Sequence, residues 1–217
     1  MTMQKMKIGV LGSGVVGKTL ASGFLAKGHE TMVGTDHAEK LADWLKENAG
    51  AKTGDFEKTA GFGELVILAV RGTEVESAIV SARPENFAGK VVIDVTNPLV
   101  FKEDGQPPRL SLGFPHSNGE KLQTLLPEAE VVKAFNTMAA SYMTNATLRE
   151  GTPDMFIAGN NDGAKKIVAD IASGWGWPVT DIGEISQAYL LEALAMLWVR
   201  YAFLNNHWTH AFKLLKK

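Results

Sequence analysis

Three glycines near the start of the chain have the spacing of a turn that holds phosphate groups. Gly12, Gly14 and Gly17 form a GxGxxG pattern between a short apolar run and a stretch with apolar residues at helical intervals. In such a turn the first glycine permits a tight bend, the second removes a Cβ that would strike a pyrophosphate, and the third lets the helix approach the strand. The N–H groups at the helix start would then face the phosphates of a dinucleotide.

A carboxylate after the second apolar run fits the same ligand. Asp36 follows Gly17 by nineteen residues, and an acidic residue at about 20 residues from the turn commonly binds the adenosine ribose. The order strand, turn, helix and strand supplies the context that a lone GxGxxG lacks. The sequence therefore predicts dinucleotide binding; a glycine-rich turn without a ligand is the alternative.

The elements that would position this turn alternate along the chain. Apolar runs predict strands at residues 7–11, 30–34, 65–70, 90–95, 131–135, 155–158 and 177–182. Periodicity and capping signals predict helices at residues 15–26, 37–48, 74–82, 121–126, 162–173 and 185–203. This alternation predicts an α/β fold of the Rossmann type, with a doubly wound, mainly parallel sheet and right-handed crossovers.

A long loop, from Thr96 to His116, is rich in proline and glycine and is predicted to be irregular. It leaves the carboxyl end of a predicted strand, where open α/β sheets bind ligands.

The composition argues against several classes of function. A formal net charge of -2 gives no overall electrostatic case for nucleic-acid binding. The chain has no cysteine, so it has no disulfide, thiol nucleophile or cysteine-based metal site. The first strand begins so early that no signal peptide is expected, and we predict a cytoplasmic protein that does not bind membranes. The histidines are scattered without an HExxH pattern, so no metal site is predicted.

The C-terminal stretch differs from the rest of the chain. Residues 185–203 are almost entirely apolar around Glu192 and Arg200, so a helix here would be hydrophobic on every face. Two charges and a modest length argue against a membrane span. We predict a Rossmann domain at 1–183 and a helical segment at 184–217 that packs against a second subunit, which we favour over burial within one chain. A basic helix end is predicted from three lysines: Lys213, Lys216 and Lys217.

Six segments together resemble one known family. They are KIGVLGSGVVGKTLA, GHETMVGTD, LVILAV, VIDVTNPL, VVKAFNTM and DIGEISQAYLLEALAMLW. In this order they resemble the coenzyme F420-dependent NADP oxidoreductase family over essentially the whole chain. The glycine turn is shared with many dehydrogenases, whereas VTNPL, KAFNT and the DxG…LE arrangement are more selective. The resemblance implies a Rossmann domain with a small helical C-terminal portion, often a dimer, and a nicotinamide dinucleotide bound beside a deazaflavin or a related acceptor.

The resemblance also implies which residues hold the cofactor. The pyrophosphate would contact residues 12–16, the adenosine 2′-phosphate would contact Thr35 and Lys40, and the amide of Asn97 would bond the carboxamide. The cofactor-binding set is Gly12, Ser13, Gly14, Val15, Val16, Gly17, Thr35, Asp36, His37, Lys40, Ala69, Val70, Arg71, Asn97 and Pro98.

Two positions depart from the family's pattern. Where the F420-reducing members carry an arginine, this chain has Asp36, whose carboxylate would repel a 2′-phosphate but accept a ribose 2′-OH. We favour NADP, and NAD stays open. Arg71 stands where members commonly place a proline; it is either a solvated side chain or an anion contact.

Hydride transfer between a nicotinamide and a flavin or deazaflavin needs placement of two rings rather than a nucleophile. No catalytic residue is assigned; the cleft candidates are Asn97, Pro98, Asn136 and His116. Each asparagine has a simpler alternative, in which its side chain only ties its own turn.

We therefore predict an NAD(P)-dependent oxidoreductase that transfers hydride between NADP(H) and coenzyme F420 or a flavin-like acceptor. One alternative is a reductase of a small imine or carbonyl substrate, which would need a proton donor, and another is a non-enzymatic dinucleotide sensor. The charges of the long loop do not indicate an acidic acceptor, because Lys102 and Arg109 are offset by Glu103 and Asp104.

Overall fold

The computed structural model describes residues 4–101 and 106–215. Their strands are β1 (Lys7–Leu11), β2 (Glu30–Gly34), β3 (Lys52–Gly54), β4 (Leu65–Leu68), β5 (Val91–Asp94), β6 (Leu99–Val100), β7 (Arg109–Leu110), β8 (Glu130–Lys133), β9 (Met155–Gly159) and β10 (Val179–Asp181). Their α-helices are α1 (Val15–Ala26), α2 (Ala42–Glu47), α3 (Phe56–Phe62), α4 (Val75–Ala82), α5 (Asn118–Leu125), α6 (Asp162–Gly174) and α7 (Ala188–Asn205).

Eight of these strands form one sheet in the order β10-β9-β8-β5-β4-β1-β2-β3. From β3 to β8 every neighbouring pair is parallel. The strand order reverses between β1 and β4, where Leu11 lies opposite Leu68. The predicted Rossmann-type fold is therefore confirmed, and the glycine turn leaves β1 at the switch point where such sheets bind ligands.

Helices cover both faces of the sheet because its central strands alternate between two apolar clusters. In β4, Leu65 and Ile67 belong to a cluster with α1 and α6, whereas Val66 and Leu68 belong to a cluster with α3, α4 and α5. Successive side chains of a strand point to opposite faces, so a continuous apolar run is the expected pattern for a strand that is covered on both sides.

The last two strands supply the antiparallel part of the sheet. β9 runs antiparallel to β8, and β10 runs parallel to β9. A parallel strand needs a crossover connection, which is usually a helix. The segment 134–154 between β8 and β9 contains a short 3-10 turn, Ala140–Tyr142, in place of a crossover helix. The apolar pattern of β9 does not indicate that this strand runs antiparallel to β8.

Two elements between residues 49 and 63 are absent from the sequence prediction. β3 is a three-residue strand at the sheet edge, and its residues are polar or glycine. α3 is about two turns long and begins after Asp55, whose carboxylate accepts a hydrogen bond from the Lys58 N–H. Both elements are too short for a periodic signal, and the Asp55 cap is the sequence signal that could have located α3.

The long loop is more regular than predicted. Leu99 pairs with Leu110 and Val100 pairs with Arg109 in an antiparallel ladder, β6 with β7. The expectation of an irregular backbone was wrong at these positions, because the pairing joins residues nine and eleven apart and leaves no periodic pattern. Lys102, Glu103 and Asp104 lie outside the described residues.

The apolar C-terminal helix is present, but the predicted basic helix end was wrong. α7 ends at Asn205, and Asn206 adopts a left-handed conformation that turns the chain back. The following segment is not helical; the Asp154 N–H bonds the Phe212 carbonyl, and the Lys213 ammonium bonds the Thr152 carbonyl. Lys216 and Lys217 lie outside the described residues. The domain boundary between 183 and 184 stays a prediction.

Within residues 4–101 and 106–215, no helix combines the length and the apolar character that a membrane crossing needs.

Candidate dinucleotide-binding site

Two glycines of the turn are required by the backbone itself. Gly12 has a φ of 117°, and a Cβ there would collide with the Ala69 carbonyl. Its N–H donates to the Gly34 carbonyl at 3.0 Å, which ties the turn to the end of β2. A Cβ on Gly17 would collide with the Gly12 carbonyl. Glycine is therefore needed at both positions for the turn and for the close approach of α1.

Gly14 differs from Gly12 and Gly17, because the space that a side chain would occupy there is open. A Cβ built at Gly14 would meet no atom within 4 Å. Within the described part of the chain, no side chain caps α1, which begins at Val15. The first N–H groups of a helix have no partner inside the helix and carry its positive end. An open cradle beside such a helix start fits a pyrophosphate.

A cleft of about 520 Å³, the first cleft, extends from this turn toward the end of β2. Ten of the predicted cofactor-binding residues line it: Gly12, Ser13, Gly14, Thr35, Asp36, His37, Lys40, Ala69, Val70 and Arg71. The opposite wall is formed by α4, through Ser77, Ala78 and Ser81. The adenosine half of a dinucleotide fits a cleft in this position.

The polar groups at the end of β2 carry both signs of charge. The Thr35 hydroxyl pairs with the Ser13 hydroxyl at 2.9 Å and accepts the His37 N–H at 3.1 Å. Asp36 is exposed on the cleft wall. The Lys40 carbonyl accepts a bond from the Lys18 ammonium, and Lys40 itself lines the cleft. An acidic and a basic residue therefore line the same cleft.

A second cleft of about 300 Å³ adjoins the first and shares Ala69, Val70 and Arg71 with it. Val16 and Asn97, also predicted, line this second cleft. The rest of the wall comes from Gly72, Val95, Thr96, Leu99 and Phe101. Most of this surface is apolar, which suits a ring that must be shielded from water.

Arg71 lies where the two clefts meet. Its side chain is 84% exposed, and its Nη1 atom is 3.9 Å from a Glu74 carboxylate oxygen. This weak contact leaves the guanidinium free to approach an anionic ligand in either cleft.

The asparagines of the two strand ends bond to each other. The Asn136 amide donates to Asn97 Oδ1 at 2.9 Å, and the Asn97 amide donates to the Asn136 carbonyl at 2.8 Å. Asn136 also donates to the Leu191 carbonyl of α7 at 3.0 Å. Each side-chain amide therefore bonds to the loop of the other asparagine rather than to its own turn. Asn136 is 5% exposed and does not line either cleft.

The remaining predicted residues lie outside the lining of both clefts. Val15 is exposed at the helix start, Gly17 is buried beneath the turn, and Pro98 is buried. His116 is exposed in the segment that leads into α5.

A buried charge cluster behind the second cleft was missed in the sequence. The Lys133 ammonium, which is fully buried, bonds Asp94 at 2.9 Å, Glu192 at 2.7 Å and the Thr96 carbonyl. The signal was visible as a lysine at the end of an apolar strand and a glutamate inside an apolar helix, because buried charges of one sign need partners of the other.

Burial and mutual attraction act in opposite directions in this cluster. Burial lowers the pKa of Lys133, but the Asp94 and Glu192 carboxylates outweigh it and raise this pKa above its usual value. Burial, helped by repulsion from Asp94, raises the pKa of Glu192 even though Lys133 opposes this shift.

Among the described residues, no group of three or more histidine, cysteine, aspartate or glutamate side chains is arranged to hold a metal ion.

Alanine substitutions at Gly17 and Gly14 are expected to affect different properties, the first stability and the second dinucleotide binding. We expect Gly17→Ala to lower the free energy of unfolding by about 1–3 kcal/mol, because its Cβ collides with the Gly12 carbonyl. We expect Gly14→Ala to change that free energy by less than about 0.5 kcal/mol. Because its methyl group enters the phosphate cradle, it should weaken dinucleotide binding about tenfold or more. Thermal unfolding and titration calorimetry measure the two effects; an equal loss of stability in both variants would contradict this description of the turn.

Comparison with known proteins assigns the chain to a family. Residues 7–98 match the family described as NADP oxidoreductase coenzyme F420-dependent. The crystal structure of a candidate F420-dependent NADP reductase from Arthrobacter sp. FB24 is 36% identical in sequence and superposes with a TM-score of 0.92. That match covers 97% of this chain and 100% of the Arthrobacter chain.

Two curated proteins extend the comparison. The F420-dependent NADP reductase of Methanocaldococcus jannaschii is 28% identical over 211 residues, or 89% of this chain and 91% of the reductase. The metalloreductase STEAP3 of Rattus norvegicus is 30% identical over 190 residues, or 88% of this chain, and the chain spans 36% of that protein's length. The matched glycine-turn region and the full-length likeness to the Arthrobacter structure lead to one conclusion: the chain belongs to the coenzyme F420-dependent NADP oxidoreductase family.

Proposed function

We propose that this protein is an NADP-dependent oxidoreductase that transfers hydride between NADP(H) and coenzyme F420 or a flavin-like acceptor. The observation that carries the proposal is the pair of adjoining clefts beside an uncapped helix start, at the switch point of the sheet. The nicotinamide, when bound, supplies or accepts the hydride. The protein's part is to hold the pyrophosphate at the start of α1 and to keep water from the second cleft.

The lining of the second cleft favours a ring acceptor over an imine or a carbonyl. A small imine or carbonyl needs a proton as well as a hydride. The residues that line this cleft include no carboxylic acid, imidazole or phenol among those the structure describes. Arg71 is a poor proton donor because a guanidinium stays charged, and His116 is exposed outside the lining. A flavin or deazaflavin acceptor is compatible with such a wall.

Absorbance measurements can distinguish a ring acceptor from an imine. Purified protein mixed anaerobically with NADPH should reduce F420 or a flavin, and it should not reduce a cyclic imine. NADPH absorbance and deazaflavin or flavin absorbance measure both halves of the reaction. His116→Ala should keep the wild-type rate, because this side chain lines neither cleft.

Two results would contradict this prediction in different ways. Reduction of the imine alone, with loss of the rate in His116→Ala, would support the imine or carbonyl reductase. Tight NADPH binding without turnover of any acceptor, together with a cofactor-dependent change in assembly, would support the dinucleotide sensor.

The choice of NADP over NAD rests on Lys40 and is opposed by Asp36. A 2′-phosphate in the first cleft would lie beside the Lys40 side chain and the Thr35 hydroxyl, since both residues line that cleft. Arg71 adds a second permanent cation on the same cleft. Asp36 is exposed, and its carboxylate is free to turn toward water. The names of the Methanocaldococcus and Arthrobacter relatives also support NADP.

Substitutions at Lys40 and Asp36 should shift the coenzyme preference in opposite directions. Lys40→Ala should raise the KM for NADPH about tenfold and leave the KM for NADH nearly unchanged, because a charge-assisted bond to phosphate contributes about 1.5–3 kcal/mol. Asp36→Asn should lower the KM for NADPH and raise that for NADH. Lys46→Ala is the matched control, since Lys46 is exposed and pairs with Asp43 away from the cleft. A KM ratio that is unchanged in Lys40→Ala would refute this assignment.

The exposed side of α7 supports a homodimer. One side of this helix is buried against the domain, through residues that include Leu191 and Trp198. The other side exposes large apolar side chains: Leu190, Leu197, Tyr201 and Leu204. Exposed apolar residues grouped on one helix are typical of a contact between subunits.

A charge on this face should separate the subunits. Wild-type protein should have twice the chain mass of 23.4 kDa by light scattering, and Leu197→Glu should have the mass of one chain. Leu197 is 57% exposed, so the glutamate does not disturb the monomer core. Val80→Glu is the control, because Val80 is 68% exposed on α4 and should leave the dimer intact. A monomeric wild-type protein, or separation by both substitutions, would argue against α7 as the contact.

A further inference from the structure

The charge cluster behind the second cleft connects α7 to the loops that form the cleft wall. Asp94 ends β5, Lys133 ends β8, and Glu192 lies on the buried side of α7. Glu192 also accepts the backbone N–H groups of Asn118 and Gly119, at 3.1 and 3.2 Å, where α5 begins. One carboxylate of α7 is therefore bonded both to the sheet and to the start of α5.

Two branches of this network end on residues that line the second cleft. The Lys133 ammonium donates to the Thr96 carbonyl. The Asn118 amide donates to the Gly72 carbonyl at 2.8 Å and to the Thr96 hydroxyl at 3.1 Å. Gly72 and Thr96 both line the cleft. The loops after β4 and β5 are thus held from behind by groups that do not face the cleft.

The two held loops are also in close contact with each other. A Cβ on Gly72 would collide with the Asn97 carbonyl, so the backbones of the two loops touch. Asn97 is bonded in turn to Asn136, which donates to the Leu191 carbonyl of α7. The turn of α7 that carries Leu191 and Glu192 therefore reaches the loops after β4, β5 and β8.

We infer that Glu192 is a positioning residue for the nicotinamide half of the cofactor. Together with Lys133 and Asn118 it fixes the wall formed by Gly72, Thr96 and Asn97, and so fixes the shape of the second cleft. The inference rests on the proposed function, because it assumes that the nicotinamide occupies this cleft. The first cleft receives no bond from Glu192, Lys133 or Asn118, so the adenosine half is independent of the network.

Because the adenosine half does not depend on the network, binding measurements can distinguish a positioning role of Glu192 from a merely structural one. General loosening of the fold weakens the binding of every ligand. Loss of positioning weakens the binding only of ligands that contain a nicotinamide. Adenosine 2′,5′-bisphosphate carries the adenosine half and lacks the nicotinamide. The ratio of its affinity to that of NADPH, measured by titration calorimetry, therefore reports on the second cleft alone.

Glu192→Gln is the principal test variant. It leaves Lys133 and Asp94 as a balanced pair, so the protein is expected to fold. The new amide faces the Asn118 N–H, which loses its acceptor. We expect NADPH affinity to fall about fivefold or more, with the affinity for adenosine 2′,5′-bisphosphate unchanged. Asn118→Ala should give the same pattern without altering any charge, since it removes the bonds to Gly72 and Thr96.

Trp198→Phe is the matched control on the same helix. Trp198 is buried and donates its indole N–H to the His210 carbonyl. Among the described residues, no hydrogen bond joins its side chain to Asp94, Lys133, Glu192 or Asn118. The Trp198→Phe substitution should lower the melting temperature and leave the ratio of the two affinities, for NADPH and for adenosine 2′,5′-bisphosphate, unchanged. An unchanged ratio in Glu192→Gln and Asn118→Ala, or an equal change in Trp198→Phe, overturns the inference. Failure of the wild-type protein to bind NADPH would instead overturn the proposed function itself.

Discussion

The structure depends most on the bond between one buried ammonium and two carboxylates. Lys133 is fully buried between Asp94 and Glu192. Loss of the Lys133 ammonium would leave two buried carboxylates without a counter-charge, and breaking a buried ion pair in this way costs about 3–5 kcal/mol. That is a large part of the 5–15 kcal/mol that stabilises a typical domain. The ends of β5 and β8 and the inner side of α7 therefore cannot move apart independently, and the wall of the second cleft is held at a fixed place.

The glycine turn provides the other fixed side of the clefts by different means. Gly12 and Gly17 hold the backbone of β1 and α1 within contact distance, without any side chain. Backbone packing of this kind leaves the N–H groups of the helix start exposed to a ligand. The two clefts thus lie between a wall made of tightly packed backbone and a wall tied by buried charges, and neither wall depends on an exposed ion pair.

Local patterns predicted the parts of the fold that depend on neighbours in sequence. The GxGxxG spacing located the turn and α1, and apolar runs located β1, β2, β4 and β5 to within two residues. Twelve of the fifteen predicted cofactor-binding residues line a cleft, while Val15, Gly17 and Pro98 do not. The direction of β9, the pairing of β6 with β7 and the bond between Asn97 and Asn136 involve partners that no local pattern identifies. The same holds for the bond between Glu192 and Lys133, which are 59 residues apart in the sequence.

The placement of polar groups explains why position rather than acid–base chemistry would govern this site. Asp94, Lys133 and Glu192 are buried charges near the second cleft, and all three lie behind its wall and are satisfied by one another. Most residues of the wall are apolar or glycine; its polar members are Arg71, Thr96 and Asn97, and none of the three is a carboxylic acid, an imidazole or a phenol. This buried cluster adds no reactive group to the cleft; its bonds hold the loops after β4 and β5 in place. For the proposed transfer, whose rate depends on the distance between two rings, a wall of fixed shape would itself be the catalytic contribution of the protein.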